Sequence, residues 1–218
     1  MRINFKYLGI LLVFSVISLA HAGSYEDFFA AVKRDNAGNL QSLLNRGFDP
    51  NTVDPGGLSG LYLALRDENL KAANVLLEWP RTNIDIRTPE DESPLMIAAL
   101  KGRLDFVKRL LARGADVNKT GWTPLHYAAS GGHRDIMQLL LDHHAYIDAE
   151  SPNGTTPLMM AAGYSSDAAV KLLLDAGADP SLKNQLDLSA LDFAERADRE
   201  DSTELIIAAL RSWKAKYR

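Results

Sequence analysis

His126 is the side chain best placed to do acid–base work near neutral pH, yet no nucleophile or paired acid stands at a motif spacing from it. The pair His143-His144 offers two metal-ligating rings. Adjacent helical positions point about 100° apart, so the two cannot close on one ion together. The chain contains no cysteine, which excludes disulfides, thiolate metal sites and cysteine nucleophiles. Its 28 acidic residues are numerous, but Asp49, Asp116 and Asp179 recur at one repeating position, which marks a turn role. There is no glycine-rich phosphate loop, no GxSxG and no HExxH. The expectation is a chain with no catalytic residues, no metal and no cofactor, hence not an enzyme.

The elements that would position these residues are clearest between Gly121 and Glu150. Thr123 can cap a helix start with its hydroxyl, and Pro124 fits the first helical position, where no amide donor is needed. Leu125, Ala128 and Ala129 share one face, with alanines small enough to admit a second helix. Gly131-Gly132 permit a sharp turn. Asp135 to Asp142 forms a second short helix rich in Ile, Met and Leu. Neither helix has the length to stand alone in water, so the unit needs neighbours.

The neighbours are copies. Phe28, Leu61, Leu95, Leu125, Leu158 and Leu191 are equivalent, at intervals of 33, 34, 30, 33 and 33 residues. Three residues after each stands an alanine: Ala31, Ala64, Ala98, Ala128, Ala161 and Ala194. Fifteen and sixteen after each stands an aliphatic pair, from Leu43-Leu44 to Ile206-Ile207. A repeat of this length implies short helix pairs stacked in a quasi-one-dimensional array.

Thr123-Pro124-Leu125-His126-Tyr127-Ala128-Ala129 resembles the ankyrin-repeat signature. Gly114-Ala115-Asp116-Val117-Asn118 and Gly177-Ala178-Asp179 are similar to the family's turn after its second helix. The resemblance runs from about Glu26 to the C-terminus and implies an all-α ankyrin-repeat solenoid of about six helix-turn-helix repeats with β-turn fingers. The repeats are expected at about 25–54, 55–88, 89–119, 120–150, 151–183 and 184–218. It also implies that His126 is structural, bonding neighbouring loop backbone.

The departures from the pattern are informative. Glu26 and Asp27 replace Thr-Pro in the first repeat, which reads as a cap whose acids suit a helix N-terminus. Ser59-Gly60 replaces Thr-Pro in the second, whose second helix must stop before Pro80. The interval of 30 falls at Lys119-Thr120-Gly121-Trp122 and predicts a truncated finger with Trp122 at its base. His144 stands where other repeats carry Gly47, Gly114 and Gly177, so a left-handed backbone is expected there. Met96, Met159 and Met160 read as core packing. Arg211 to Arg218 continues the last repeat as a basic helix.

Residues 1–22 differ in kind. Arg2 and Lys6 precede an apolar run from Leu8 to Leu19, and Ala20-His21-Ala22 offers small residues around a cleavage point after Ala22. The pattern is that of a secretory leader, too short to span a membrane. The expected address is the bacterial periplasm, with no membrane insertion after cleavage. Without Arg2 and Lys6 the mature chain from Gly23 has 22 basic and 28 acidic residues, a net charge of −6. An acidic chain without a basic stripe argues against nucleic acid as a partner.

The resemblance implies a concave groove formed by finger tips and first helices. Its positions include Arg66, Leu100, Lys101 and Tyr164, with Glu92 and Trp122 just ahead of the helix starts. Trp122, Tyr164 and Leu100 are expected close together, as exposed aromatic anchors of an interface. Trp122 folded down over its shortened finger is the competing arrangement. The expected function is a monomeric, non-enzymatic periplasmic scaffold that binds, supports or protects another protein. The alternative is an inhibitor or immunity protein neutralising a periplasm-targeted toxin.

Overall fold

The computed structural model describes residues 23–216. The expected leader lies outside the described residues. The described chain is helical, with isolated β-bridges at two turns. The described residues divide into two compact units, with the boundary between Asn83 and Ile84.

The first unit holds α1 (23–33), α2 (Ala37–Asn45), α3 (Gly60–Arg66) and α4 (Leu70–Glu78). Phe28, Phe29 and Phe48 form an aromatic cluster, with Phe28 stacked on Phe48 at 4.7 Å between ring centres. That cluster accounts for the missing proline at the start of α3: a Cβ on Gly60 would lie 2.8 Å from the Phe28 ring. Ser59 still caps the helix, accepting from the Tyr62 amide. As Pro80 requires, α4 ends at Glu78, and Trp79 turns extended as its C-cap.

The second unit holds four helix pairs. They are α5 (Pro94–Leu100) with α6 (Leu104–Ala112), α7 (Pro124–Gly131) with α8 (Arg134–Asp142), α9 (Pro157–Tyr164) with α10 (Asp167–Asp175), and α11 (Ala190–Arg196) with α12 (Glu200–Lys216). The first helices α5, α7, α9 and α11 pack side by side in chain order, and α6, α8, α10 and α12 form the second layer. Leu95, Leu125 and Leu158 are fully buried between the layers, as are Ala98, Ala128, Ala161 and Ala194. Leu191, in the last repeat, is only half-buried, as befits a layer with one neighbour. Among the described residues no helix is long and apolar enough to cross a membrane, and no cluster of side chains could hold a metal ion.

The recurring aspartates prove to be turn residues. Asp49, Asp116 and Asp179 each accept a hydrogen bond on Oδ1 from the amide two residues on, at 2.8–3.2 Å. A second series was not foreseen. In the first unit Asn51 Oδ1 accepts from the Asn83 amide at 2.7 Å. In the second, Asp85 accepts from Asp116, Asn118 from Tyr146 and Asp148 from Asp179, at 2.8–3.1 Å. Each side chain thus satisfies an amide at the matching turn of the next repeat. Burial pushes the Asp148 carboxyl above the usual range, the Asp179 amide working against it. Ser181, at the next position, turns back instead: its amide and hydroxyl both donate to Asp179 Oδ1.

Candidate functional site

Four of the fingers close with the same backbone hydrogen bond, from an amide to the carbonyl four residues on. These are Asp54 to Leu58, Thr88 to Glu92, Ser151 to Thr155 and Asn184 to Leu188, at 2.9–3.0 Å. Among the described residues no such bond closes 119–123, so the finger before α7 is truncated, as its short interval requires. Gly121 turns there at φ +85°, with the Pro152 ring 3.6 Å from where a Cβ would stand. Lys119 reaches the other way and ion-pairs with Asp91 of the preceding finger.

The shortening leaves Trp122 beside the start of α7, half-buried, its indole edge-on to His126 at 5.2 Å between ring centres. His126 is fully buried. The Thr123 amide donates to its Nδ1 at 3.1 Å, and the Thr123 hydroxyl lies 2.9 Å from the same nitrogen. Thr123 and His126 thus form the capping box of α7, with the Thr123 hydroxyl also close to the imidazole. On the other side Nε2 lies 2.9 Å from the Thr155 carbonyl. A carbonyl only accepts, so Nε2 carries the proton and the ring is neutral. Burial lowers the His126 pKa to about 4, its backbone hydrogen bonds opposing the shift and Lys119 adding to it. With both nitrogens committed, the ring has none left for a substrate. It ties α7 to the next finger.

Trp122 also forms one wall of an apolar pocket of about 230 Å³, completed by Leu100, His126, Tyr127, Ser130 and Met160. The pocket spans three repeats, with α5, α7 and α9 each contributing a side chain. The indole thus packs against the His126 ring and faces an open cavity. Tyr127 is fixed by its hydroxyl, which donates to Glu92 at 2.5 Å.

The predicted groove residues separate into groups. Leu100 and Trp122 meet in the pocket, Glu92 anchors Tyr127, and Lys101 is exposed at the C-cap of α5 beside Leu100. Tyr164 does not join them. It is 61 % exposed and borders a different cavity, with Gly163, Leu188 and Phe193. The reason is register: Tyr164 is the last residue of α9, six past Leu158, whereas the α9 side chain reaching the Trp122 pocket is Met160, two past it. Arg66 belongs to the first unit, where its guanidinium grips Asp67 at 2.7 Å. Met160 thus lines a surface, while Met96 and Met159 are core residues whose sulfurs accept from the amides of Ser93 and Thr156. Tyr127, Ser130 and Met160 complete the pocket. The signal for Tyr127 and Met160 lay in the variability two residues after each reference leucine: Ile97, Tyr127, Met160 and Phe193.

Comparison with known proteins gives these features a family. Models of ankyrin repeats match residues 81–141 and 117–184. An ankyrin-repeat domain from Acinetobacter baumannii superposes with a TM-score of 0.71 and 25 % identity, covering 84 % of this chain and 96 % of that one. A chain of the complex between a Bdellovibrio bacteriovorus predatory endopeptidase and an immunity protein superposes with a TM-score of 0.72, covering 84 % of this chain and 97 % of its own; at 24 % identity that likeness is one of fold. The chicken nuclear factor NF-kappa-B p105 subunit is 33 % identical over 184 residues, 81 % of this chain and 18 % of that protein. Mouse neurogenic locus notch homolog protein 1 is 30 % identical over 168 residues, 74 % of this chain and 7 % of that protein. The chain therefore spans less than a fifth of the curated relatives it matches. With the repeat interval, the helix pairs and the Thr-Pro-Leu-His start all in agreement, the protein is built of ankyrin repeats.

Proposed function

We propose that the protein is a non-enzymatic scaffold of the periplasm, holding a partner protein on the face that carries the Trp122 pocket. Ankyrin repeats are protein-interaction modules, and the observation that carries this reading is the pocket itself. A large aromatic beside an open apolar cavity, with Tyr127 of its wall held by Glu92, has the anatomy of an interface hot spot. His126, the residue most suited to chemistry, is occupied on both nitrogens. The charged start, apolar run and small-residue cleavage point of residues 1–22 support export.

The test is capture from periplasmic extract by the mature chain beginning at Gly23, beside its Trp122→Ala variant. Trp122→Ala should weaken capture of the partner by about 2 kcal/mol with an unchanged circular dichroism spectrum. Capture of the same protein at undiminished strength would move the binding face elsewhere. Identification of the captured protein separates a resident enzyme, which the scaffold would support, from an imported toxin, which it would neutralise.

A further inference from the structure

The Trp122 pocket has a counterpart further along the second unit. Gly163, Tyr164, Leu188, Phe193, Arg196 and Ala197 line a cavity of about 260 Å³. The two cavities are built from the same repeat positions. Leu100 and Gly163 stand five residues after their reference leucines, Trp122 and Leu188 three before, Tyr127 and Phe193 two after, and Ser130 and Arg196 five after. Equivalent positions in stacked repeats share one face, so both cavities open on it. Gly163 is part of the construction. A Cβ there would lie 3.0 Å from Phe193 Cδ1, so its absence lets that ring settle against α9.

The spacing follows from packing. The Trp122 pocket centres on α7, and its counterpart on α11. Since α7, α9 and α11 pack side by side, two interaxial steps of about 8–10 Å each separate the pockets by about 16–20 Å. An extended chain advances about 3.3 Å per residue, so five or six residues cover that distance. The charges set a further condition. Lys101, which follows the pocket residue Leu100 at the end of α5, and Arg196 in the second pocket have no ion-pair partner among the described residues. Glu195 and Asp198, the acids next to Arg196 in sequence, do not line the cavity.

Building on the scaffold reading above, we propose that the two pockets form one site for an extended segment of the partner. That segment carries two large apolar side chains about six residues apart, an even spacing that keeps both on one face of the extended chain, one for each pocket, with acidic residues placed to meet Lys101 and Arg196. A single buried anchor would use only one cavity and would leave Arg196 without a counter-charge.

The experiment is selection of a random twelve-residue peptide library, displayed on phage, against the mature chain. The expected result is enrichment of peptides with two large apolar residues at that spacing and acids nearby. A synthetic, fluorescently labelled peptide from the enriched set should bind at least tenfold more weakly to Trp122→Ala and, separately, to Phe193→Ala. Arg196→Glu keeps the apolar walls of both cavities while reversing one charge and should also weaken it severalfold; thermal melting confirms that each variant is folded. Enriched peptides with a single anchor, sensitive to Trp122→Ala and not to Phe193→Ala, overturn the two-pocket site and leave the scaffold reading intact. Enriched peptides indifferent to both variants overturn both. A failure to enrich any peptide over the unselected library overturns the extended-segment proposal, while capture of a folded partner continues to test the scaffold.

Discussion

Repeat four and the repeats on either side share a backbone plan but solve the same local problem with different chemistry. In each, the N-cap amide of the first helix needs an acceptor. In repeats three and five the acceptor is a methionine sulfur, Met96 or Met159, at 3.1 and 3.4 Å. In repeat four it is His126 Nδ1, and the far side of the ring also reaches the Thr155 carbonyl. Methionine is a weak acceptor that ends where it bonds, whereas histidine is a strong one that continues across the repeat boundary. Repeat four is also where the finger is cut short. With less backbone to knit it to its neighbours, it relies on a side chain instead. A single polar bridge from His126 ties repeat four to the full-length finger that follows it.

The largest test of this contrast is pH. The folded His126 pKa is about 4 and the unfolded value about 6.5, so the unfolded chain binds the proton more readily. The stabilisation from keeping the ring neutral is present in full above pH 6.5, declines as pH falls and is gone below about pH 4. Across that window it amounts to about 3 kcal/mol. Urea denaturation from pH 7 to pH 4 should show this loss, and it should disappear in His126→Met, in which the carboxylates still titrate. Equal pH slopes in the two proteins would remove His126 from the account.

At pH 7 the same substitution sharpens the comparison further. Methionine keeps an acceptor for Thr123 and loses the bond to Thr155, whose carbonyl still receives the Ser151 amide. The expected cost is about 1–2 kcal/mol by urea denaturation. A neutral result would mean that the bridge adds nothing to the pattern of its neighbours. Restoring the finger is the reciprocal change. Inserting Pro-Asn-Gly after Thr120, on the pattern of Pro152-Asn153-Gly154, should alter stability by less than about 1 kcal/mol, because loop length is tolerated thermodynamically. It should nonetheless weaken partner capture about tenfold, the loss expected when a hot-spot pocket is covered. The smallest effect belongs to His144, which adopts φ +64° where the other repeats use Gly47, Gly114 and Gly177. His144→Gly should leave stability unchanged or raised by no more than about 0.5 kcal/mol, read as an unchanged or slightly higher melting temperature. A clear fall would show that the His144 side chain is itself stabilising.

Much of this was legible in the residues. The alanines three past each reference leucine are buried, Pro80 ends α4, and His144 is left-handed, because each depends on local sterics that the residue type alone dictates. The interval of 30 announced the short finger. What the sequence withheld depended on direction and distance between repeats. Tyr164 and Trp122 were expected together because both carry aromatic rings near the groove, but the turn of α9 that faces Trp122 presents Met160. Gly60 looked like a degenerate start until Phe28 was seen against it. Tyr127 bonds to Glu92, 35 residues away, a pairing that no local pattern records.

The side-chain series along the turns has an implication for how such an array grows. Asp85, Asn118 and Asp148 each present an acceptor that only a following repeat can use. Each of these repeats thus carries the docking instruction for its successor. Ser181 carries none: its short side chain folds back on Asp179, and α12 runs on through the place where another turn would begin. Repeat six is held by its helices instead, α11 on α9 and α12 on α10. An engineer wishing to append a seventh repeat would have to end α12 in a turn that carries both the amide and the acceptor of this series.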